Sequence, residues 1–312
     1  MREQPAATAA ASLLVGAIEG GGTKFNCAVG YSPTHVLESV TIPTTDAATT
    51  LAACIRFFRN VADKHGRVAA LGVACFGPLQ MRRDAADFGC LLSTPKAGWS
   101  RADVVSPLTR ALEVPVVLDT DVGAAATAEW RLGAGRGLAS LAYVTVGTGI
   151  GGAVVPEIQA AQRMTHAEMG HILVRRDARD GDFAGVCPFH GDCLEGLASG
   201  PAIRARWGCD LSSLPHGHFG RTIVAGYLGQ LATSIVLLHA VDRIVMGGGV
   251  MSDGSLLPLV RDAMHQNLNG YVQPLIHPEI ASGYLSLPAL GSGSAIAGAL
   301  LQAQDSLAAS LT

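Results

Sequence analysis

Two glycine- and threonine-rich turns, at residues 19–23 and 147–152, each join a pair of short apolar strands. In the first, the apolar run 13–18 is broken by "EGGGT" and resumes over 25–29; the second is "LAYVTVGTGIGGAVV", residues 141–155. A strand–turn–strand unit that recurs so far along a chain implies a duplicated architecture, one unit per domain. The intervening sequence supplies the rest of each unit. Asp46 is placed to cap a helix with Leu51, Ile55, Phe58 and Val61 on one face, and Gly66 ends it. "VAALGVACFGP" reads as a strand stopped by Gly77 and Pro78, and "VPVVLDTD" as a strand ending in acids before the helix "GAAATAEWRLG". Helices over 222–240, 256–268 and 294–307 alternate with the strand "RIVM" and its turn "GGG". That alternation predicts an α/β protein. The domain boundary is expected near 118–121. Residues 1–120 would form a smaller N-terminal α/β domain, joined by the C-terminal helix of about 292–312, and 121–291 a larger C-terminal one.

Composition narrows the class. Of 312 residues, 49% are apolar and 15% charged, with a net charge of −3, so the chain has ample core and no basic stripe for nucleic acid. The N-terminal "MREQPAATAAASLLVGAIEGGGTK" has an apolar run too short for a signal peptide, and it leads directly into a strand and glycine turn. No run reaches the roughly 18–20 uninterrupted apolar residues of a membrane helix. Cys27, Cys54, Cys75 and Cys90 lie singly in apolar surroundings, as buried free thiols do. Together these predict a cytoplasmic protein without a membrane partner.

"GTGIGG" satisfies G-x-G-x-x-G, but a dinucleotide fold needs a helix after it, and here Ala153, Val154 and Val155 continue a strand. The G-x-x-x-x-G-K-[ST] loop is absent. Glycine–threonine hairpins still hold phosphates through converging backbone N–H groups and a hydroxyl. One such hairpin is most simply an ordinary turn; two alike, with "MGGGV" after a third strand, point to a nucleotide.

Glu19-Gly20-Gly21-Gly22-Thr23-Lys24, Gly147-Thr148-Gly149-Ile150-Gly151-Gly152 and Gly247-Gly248-Gly249 resemble the phosphate-1, phosphate-2 and adenosine motifs of the actin-like ATPase superfamily. "TDVGAAA", "HAEMGH" and "CPFHGDCLEGLASGPAI" narrow the resemblance to the ROK family of sugar kinases and repressors, and "TPKAGW" to its bacterial fructokinase branch. The resemblance implies two actin-like (ribonuclease H-like) ATPase domains with a cleft between them, ATP with Mg2+ as cofactor, a hexose substrate and a homodimer. Gly21, Gly22, Thr23, Lys24, Gly147, Thr148, Gly149, Gly247, Gly248 and Gly249 would then contact ATP. Asp121 would be the catalytic base, although on the residues alone it serves equally as a helix cap. Glu168, Glu195, Thr94 and Lys96 would contact sugar. Valine at Gly22 or Gly149 is accordingly expected to weaken ATP far more than sugar. Gly123 stands where the family usually has Asn, and Glu19 where many relatives have Asp. His166 is left open between sugar contact, metal ligand and neither.

"GVCPFHGDC" contributes Cys187, His190 and Cys193, and a tetrahedral zinc needs a fourth ligand. His171, matching the family's "EMGH", completes the expected structural Zn2+ site; a Cys187–Cys193 disulfide is the rival. "TPKAGW" implies ATP-dependent phosphorylation of D-fructose. Glucose, mannose or N-acetylmannosamine are alternatives, as is a non-catalytic sugar-binding or regulatory ROK protein. The repressors carry a helix-turn-helix domain, for which the dozen residues before the first strand are too few.

Overall fold

Each glycine hairpin seeds its own sheet. The computed structural model describes residues 13–156 and 166–310; the N-terminal segment read above against a signal peptide lies, as far as residue 12, outside them. In the first sheet β1 (Val15–Gly20) pairs antiparallel with β2 (Lys24–Ser32), and β2 with β3 (His35–Pro43). On its other side β1 pairs parallel with β4 (Ala70–Cys75), and β4 with β5 (Val116–Thr120), giving the order β3-β2-β1-β4-β5.

Side chains alternate across these strands. Ile18, Phe25, Cys27, Leu71 and Val73 point to one face, where α1 (Ala47–His65) covers them with Leu51, Cys54, Phe58 and Val61, beside α2 (Ser106–Leu112). Asp46 caps α1 through a 2.9 Å bond from Thr49 N, and Gly66 closes it at φ 92°. β5 runs directly into α3 (Asp121–Arg131). The opposite face presents small side chains, Val15, Ala17, Ala70 and Ala74, which pack with Ala124 of α3 against Ala299, Leu300 and Ala303 of the C-terminal helix Ser294–Ser310. The approach is close: a Cβ on Gly72 would lie 1.9 Å from Ala299 O.

The second sheet repeats the plan. β6 (Leu141–Val146) and β7 (Ile150–Val155) form the hairpin, and β8 (Ile244–Gly247) and β9 (Leu285–Ser286) add in parallel, in the order β7-β6-β8-β9. Its helices are α4 (Leu194–Ala198), α5 (Gly200–Trp207), α6 (Phe219–His239), α7 (Leu257–Leu268) and α8 (Pro278–Tyr284). By length and composition α6 is apolar enough to cross a membrane. It nevertheless buries Ile223, Leu228, Leu231 and Ile235 in this unit's core, and Arg221 with them. Among the described residues, one compact unit takes the chain to Ala128, His166 and the segment from Gly293; the other takes 129–156 and Ala167–Ser292. The division falls inside α3.

Gly72→Ala is expected to destabilise the chain by about 2 kcal/mol or more, since overpacking against main chain cannot relax by a rotamer change. Gly226→Ala, inside α6 with nothing within 4 Å of the added Cβ, is expected to stabilise by about 1 kcal/mol. Urea unfolding of the two variants checks the opposite signs.

Candidate active site

The turn of the first hairpin is held by Gly21 N donating to Lys24 O (2.9 Å) and by the Thr44 hydroxyl donating to Gly21 O (2.8 Å). Thr23 and Lys24 stand exposed at its tip, and a Cβ on Gly22 would meet nothing within 4 Å. No internal packing requires glycine there. A bare turn lets an anion approach its main chain at Gly22.

β4 and β5 end beside this hairpin's base, and β5 delivers Asp119 and Asp121. The hydroxyl of the buried Thr120 accepts Gly123 N at 3.0 Å, so Thr120 is the N-cap of α3. Asp121 is the first helical residue instead, and its Oδ1 accepts Val122 N at 2.9 Å. Burial pushes the Asp121 carboxyl up to about 7, against the Val122 bond and with help from the charges of Glu19 and Asp119. Glu19 is likewise held above its ordinary range by burial, although Asn26 donates to it at 2.9 Å and Lys24 lies nearby. Beneath these acids the cysteines are not all single. Cys27 and Cys54 meet thiol to thiol, which with burial holds Cys27 well above its ordinary range, and burial plus Asp121 do the same to Cys75. Cys90 is half-exposed rather than buried.

Thr94 and Lys96, both half-buried, belong to a turn anchored by Trp99. That indole is fully buried, stacks on Phe25 at 5.1 Å and donates to Thr45 O at 2.7 Å. The Ser100 hydroxyl closes the turn, accepting Thr94 N (3.1 Å) and donating to Thr94 O (2.9 Å).

In the second unit, Gly147 N donates to Gly149 O at 2.8 Å across the β6–β7 turn, with Thr148 exposed. Gly248 takes φ 91°, and a Cβ there would lie 2.4 Å from Val146 O. Only glycine lets the Gly247–Gly249 turn lie this close to β6, which brings Gly249 N beside Gly147. Glu195 joins the same cluster: its Oε2 accepts Ile150 N at 2.8 Å, and a Cβ on Gly149 would sit 2.7 Å from that oxygen. Gly149 and Gly22 therefore differ in their surroundings. A valine at Gly149 would strike the Glu195 carboxylate, whereas Gly22 has no such neighbour.

Glu168 opens the short 3-10 turn Met169–His171, and Glu195 sits in the first turn of α4 behind its N-cap Cys193. Burial and the Glu195 charge raise the Glu168 carboxyl, against the pull of His171. The bond from Leu194 N to Ile172 O, 2.9 Å, ties the two segments together. Between them His171, Cys187, His190 and Cys193 converge, their ligand atoms all within 4.8 Å of one another. Gly191, at φ 64°, folds the loop back so that Cys187 and Gly191 exchange backbone bonds of 3.1 and 2.9 Å. Cys187 Sγ lies 3.7 Å from both His171 Nδ1 and His190 Nδ1, and Cys193 Sγ 3.5 Å from His171 Nδ1. Metal–sulfur bonds of about 2.3 Å and metal–nitrogen bonds of about 2.0 Å give tetrahedral S–N edges near 3.6 Å. Both cysteines are free thiols, so the donor set fits a four-coordinate ion rather than a disulfide. His166 is not in this group; its Nε2 accepts Leu79 N at 2.9 Å.

Residues 15–305 match the ROK family, and the chain belongs to it. It is 39% identical over 289 residues to the fructokinase of Zymomonas mobilis, covering 92% of this chain and 95% of that one. It is 36% identical over 297 residues to the fructokinase of Pediococcus pentosaceus, covering 95% and 99%. Among solved structures, the ROK hexokinase from Thermus thermophilus superposes with a TM-score of 0.74 at 25% identity, covering 95% of this chain and 99% of that one. The α/β fold of two like sheets is that of the ROK sugar kinases, the actin-like architecture expected from the hairpin motifs.

The raised Asp121 carboxyl has a consequence for stability. Its folded pKa near 7 exceeds the ordinary 3.8, so between these values the folded chain holds a proton that the unfolded chain releases. The cost of ionising the folded state therefore grows as pH rises from about 4 to about 7 and stays constant above. Asp121→Asn is expected to melt higher than wild type at pH 8, with the difference disappearing towards pH 4; thermal scans across that range measure it.

Proposed function

We propose that the chain transfers the γ-phosphoryl group of ATP to a hexose, D-fructose before others, giving fructose 6-phosphate and ADP. The observation that carries this reading is Asp121: a half-buried residue directly after β5, relieved of capping by Thr120, its carboxyl pushed up to about 7. A base so poised accepts the proton of the sugar hydroxyl as its oxygen bonds to phosphorus and the bond to the ADP oxygen breaks. The glycine turns at 20–23, 147–149 and 247–249 hold the nucleotide by backbone N–H groups. Magnesium accompanies ATP and neutralises its phosphates; Glu19, Asp119 and Asp121 lie close enough for their charges to repel, and a hard cation would relieve that repulsion. Glu168 and Glu195 accept sugar hydroxyls, and Thr94 and Lys96 serve the same substrate. The fructokinase names of the relatives favour fructose over glucose, mannose or N-acetylmannosamine. The working form is a cytoplasmic homodimer.

The ion held by His171, Cys187, His190 and Cys193 is zinc, chosen by its N2S2 donors and tetrahedral edges, and it is structural because four protein ligands leave no open position. It staples the segment of Glu168 to that of Glu195. Through Ile150 it also reaches the second phosphate hairpin, which the linear spacing of the residues does not suggest.

Asp121→Asn is expected to bind ATP and fructose as wild type does while kcat falls by about 10² to 10⁴. A kcat within a few-fold of wild type would return Asp121 to a structural role.

Elemental analysis is expected to find one zinc per chain. Its removal by chelation, or Cys193→Ser, is expected to weaken fructose binding by about 10- to 100-fold and nucleotide binding less. Fructose affinity untouched by zinc loss would contradict the staple, and a metal-free native chain would contradict the site.

A further inference from the structure

Gly123 lies in the first turn of α3 with no positive φ, so its backbone does not call for glycine. Glycine in a helix is unfavourable relative to alanine, and another cause must hold it there. That cause is Asp119. A Cβ on residue 123 would lie 2.3 Å from Asp119 Oδ1 and 2.8 Å from its Cγ and Oδ2. The carboxylate occupies the volume a side chain at 123 would fill. It is held in that place from two sides: Oδ1 accepts Thr120 N at 2.7 Å, and Oδ2 accepts Gln302 Nε2 of the C-terminal helix at 2.5 Å. Gln302 keeps this bond although its Oε1 is buried without a hydrogen-bond partner.

Two bonds thus bracket Asp121, Asp119 to Thr120 N before it and Thr120 to Gly123 N after it. We infer that Asp119 is a positioning residue, seated over Gly123 and clamped by Gln302, that sets where the Asp121 carboxylate stands. The kinetic part of this inference rests on the function proposed above; the steric lock does not. The groups facing Asp121 are Glu19 from β1, Cys75 from β4 and Asp119 from β5, with Lys24 of β2 beside Glu19.

The test is a cycle of Asp119→Ala, Gly123→Ala and the double variant, read by melting and by steady-state kinetics. In the wild-type background Gly123→Ala is expected to lower Tm; in the Asp119→Ala background it is expected to raise Tm by about 2–4 °C, the helix-propensity gain released once the carboxylate is gone. Each single variant is expected to lower kcat by about 10², with both KM values little changed, and the double variant is expected to be no worse than Asp119→Ala. Asp119→Asn, which keeps the shape and removes the charge, is expected to retain kcat within a few-fold and to shift the acid limb of kcat/KM to lower pH. The same Tm change for Gly123→Ala in both backgrounds would overturn the lock. Wild-type kcat in Asp119→Ala, or an unmoved acid limb in Asp119→Asn, would overturn the positioning role. A wild-type chain that phosphorylates no hexose would instead refute the proposed function, and the melting cycle would still report on the lock.

Discussion

The Thr120 hydroxyl takes the N–H of Gly123 at 3.0 Å, and the chemistry available to this chain follows from that bond. A helix start needs a cap, typically worth about 1 kcal/mol, and the residue that supplies it commits its oxygen. Had Asp121 filled that place, its carboxylate would have been stabilised as an anion and lost as a base. With Thr120 as cap, Asp121 keeps one local bond to Val122 N, and burial outweighs that bond in setting its affinity for protons. A cap one residue upstream therefore leaves Asp121 free for the role of base proposed for it.

Small residues play the matching part on the other face of the first sheet. Val15, Ala17, Ala70, Gly72 and Ala74 leave so little bulk that the C-terminal helix settles against the strands, and Ala124 of α3 joins that contact. A Cβ on Gly298 of that helix would lie 1.9 Å from Ala124 O. The helix that ends the chain is thereby pressed onto the helix that begins with Asp121, and Gln302 follows from the same docking. Packing density fixes the backbone around Asp121, as the role proposed for it would require.

Much of this was legible in the residues. The strands flanking "EGGGT" and "GTGIGG", the Asp46-capped helix and the α/β class follow from periodicity and turn chemistry, because those signals are local. β3 was not anticipated: as an edge strand with most of "HVLESVTIP" exposed on both faces, it shows no buried alternation. Thr120 as the cap had a signal, a threonine directly before the helix, which the adjacent aspartate masked. The occupation of Gly123's space by Asp119, the Cys27–Cys54 contact and the bond from Ile150 N to Glu195 had none. Each joins residues whose meeting depends on tertiary packing, and no spacing rule encodes it.

In the second unit the Cys/His cluster, the proposed sugar carboxylate Glu195 and the proposed phosphate hairpin form one connected chain of contacts, from Cys193 through Glu195 to Ile150. Under the proposed function such a linkage would couple sugar binding to nucleotide binding. The most direct measurement is phosphorus NMR of the wild-type chain with MgATP and, in turn, fructose, glucose, mannose and N-acetylmannosamine. Equal amounts of ADP and fructose 6-phosphate, with kcat/KM for fructose about tenfold or more above the other sugars, is the predicted result. Absence of any hexose phosphate, or no preference among the four, would contradict it.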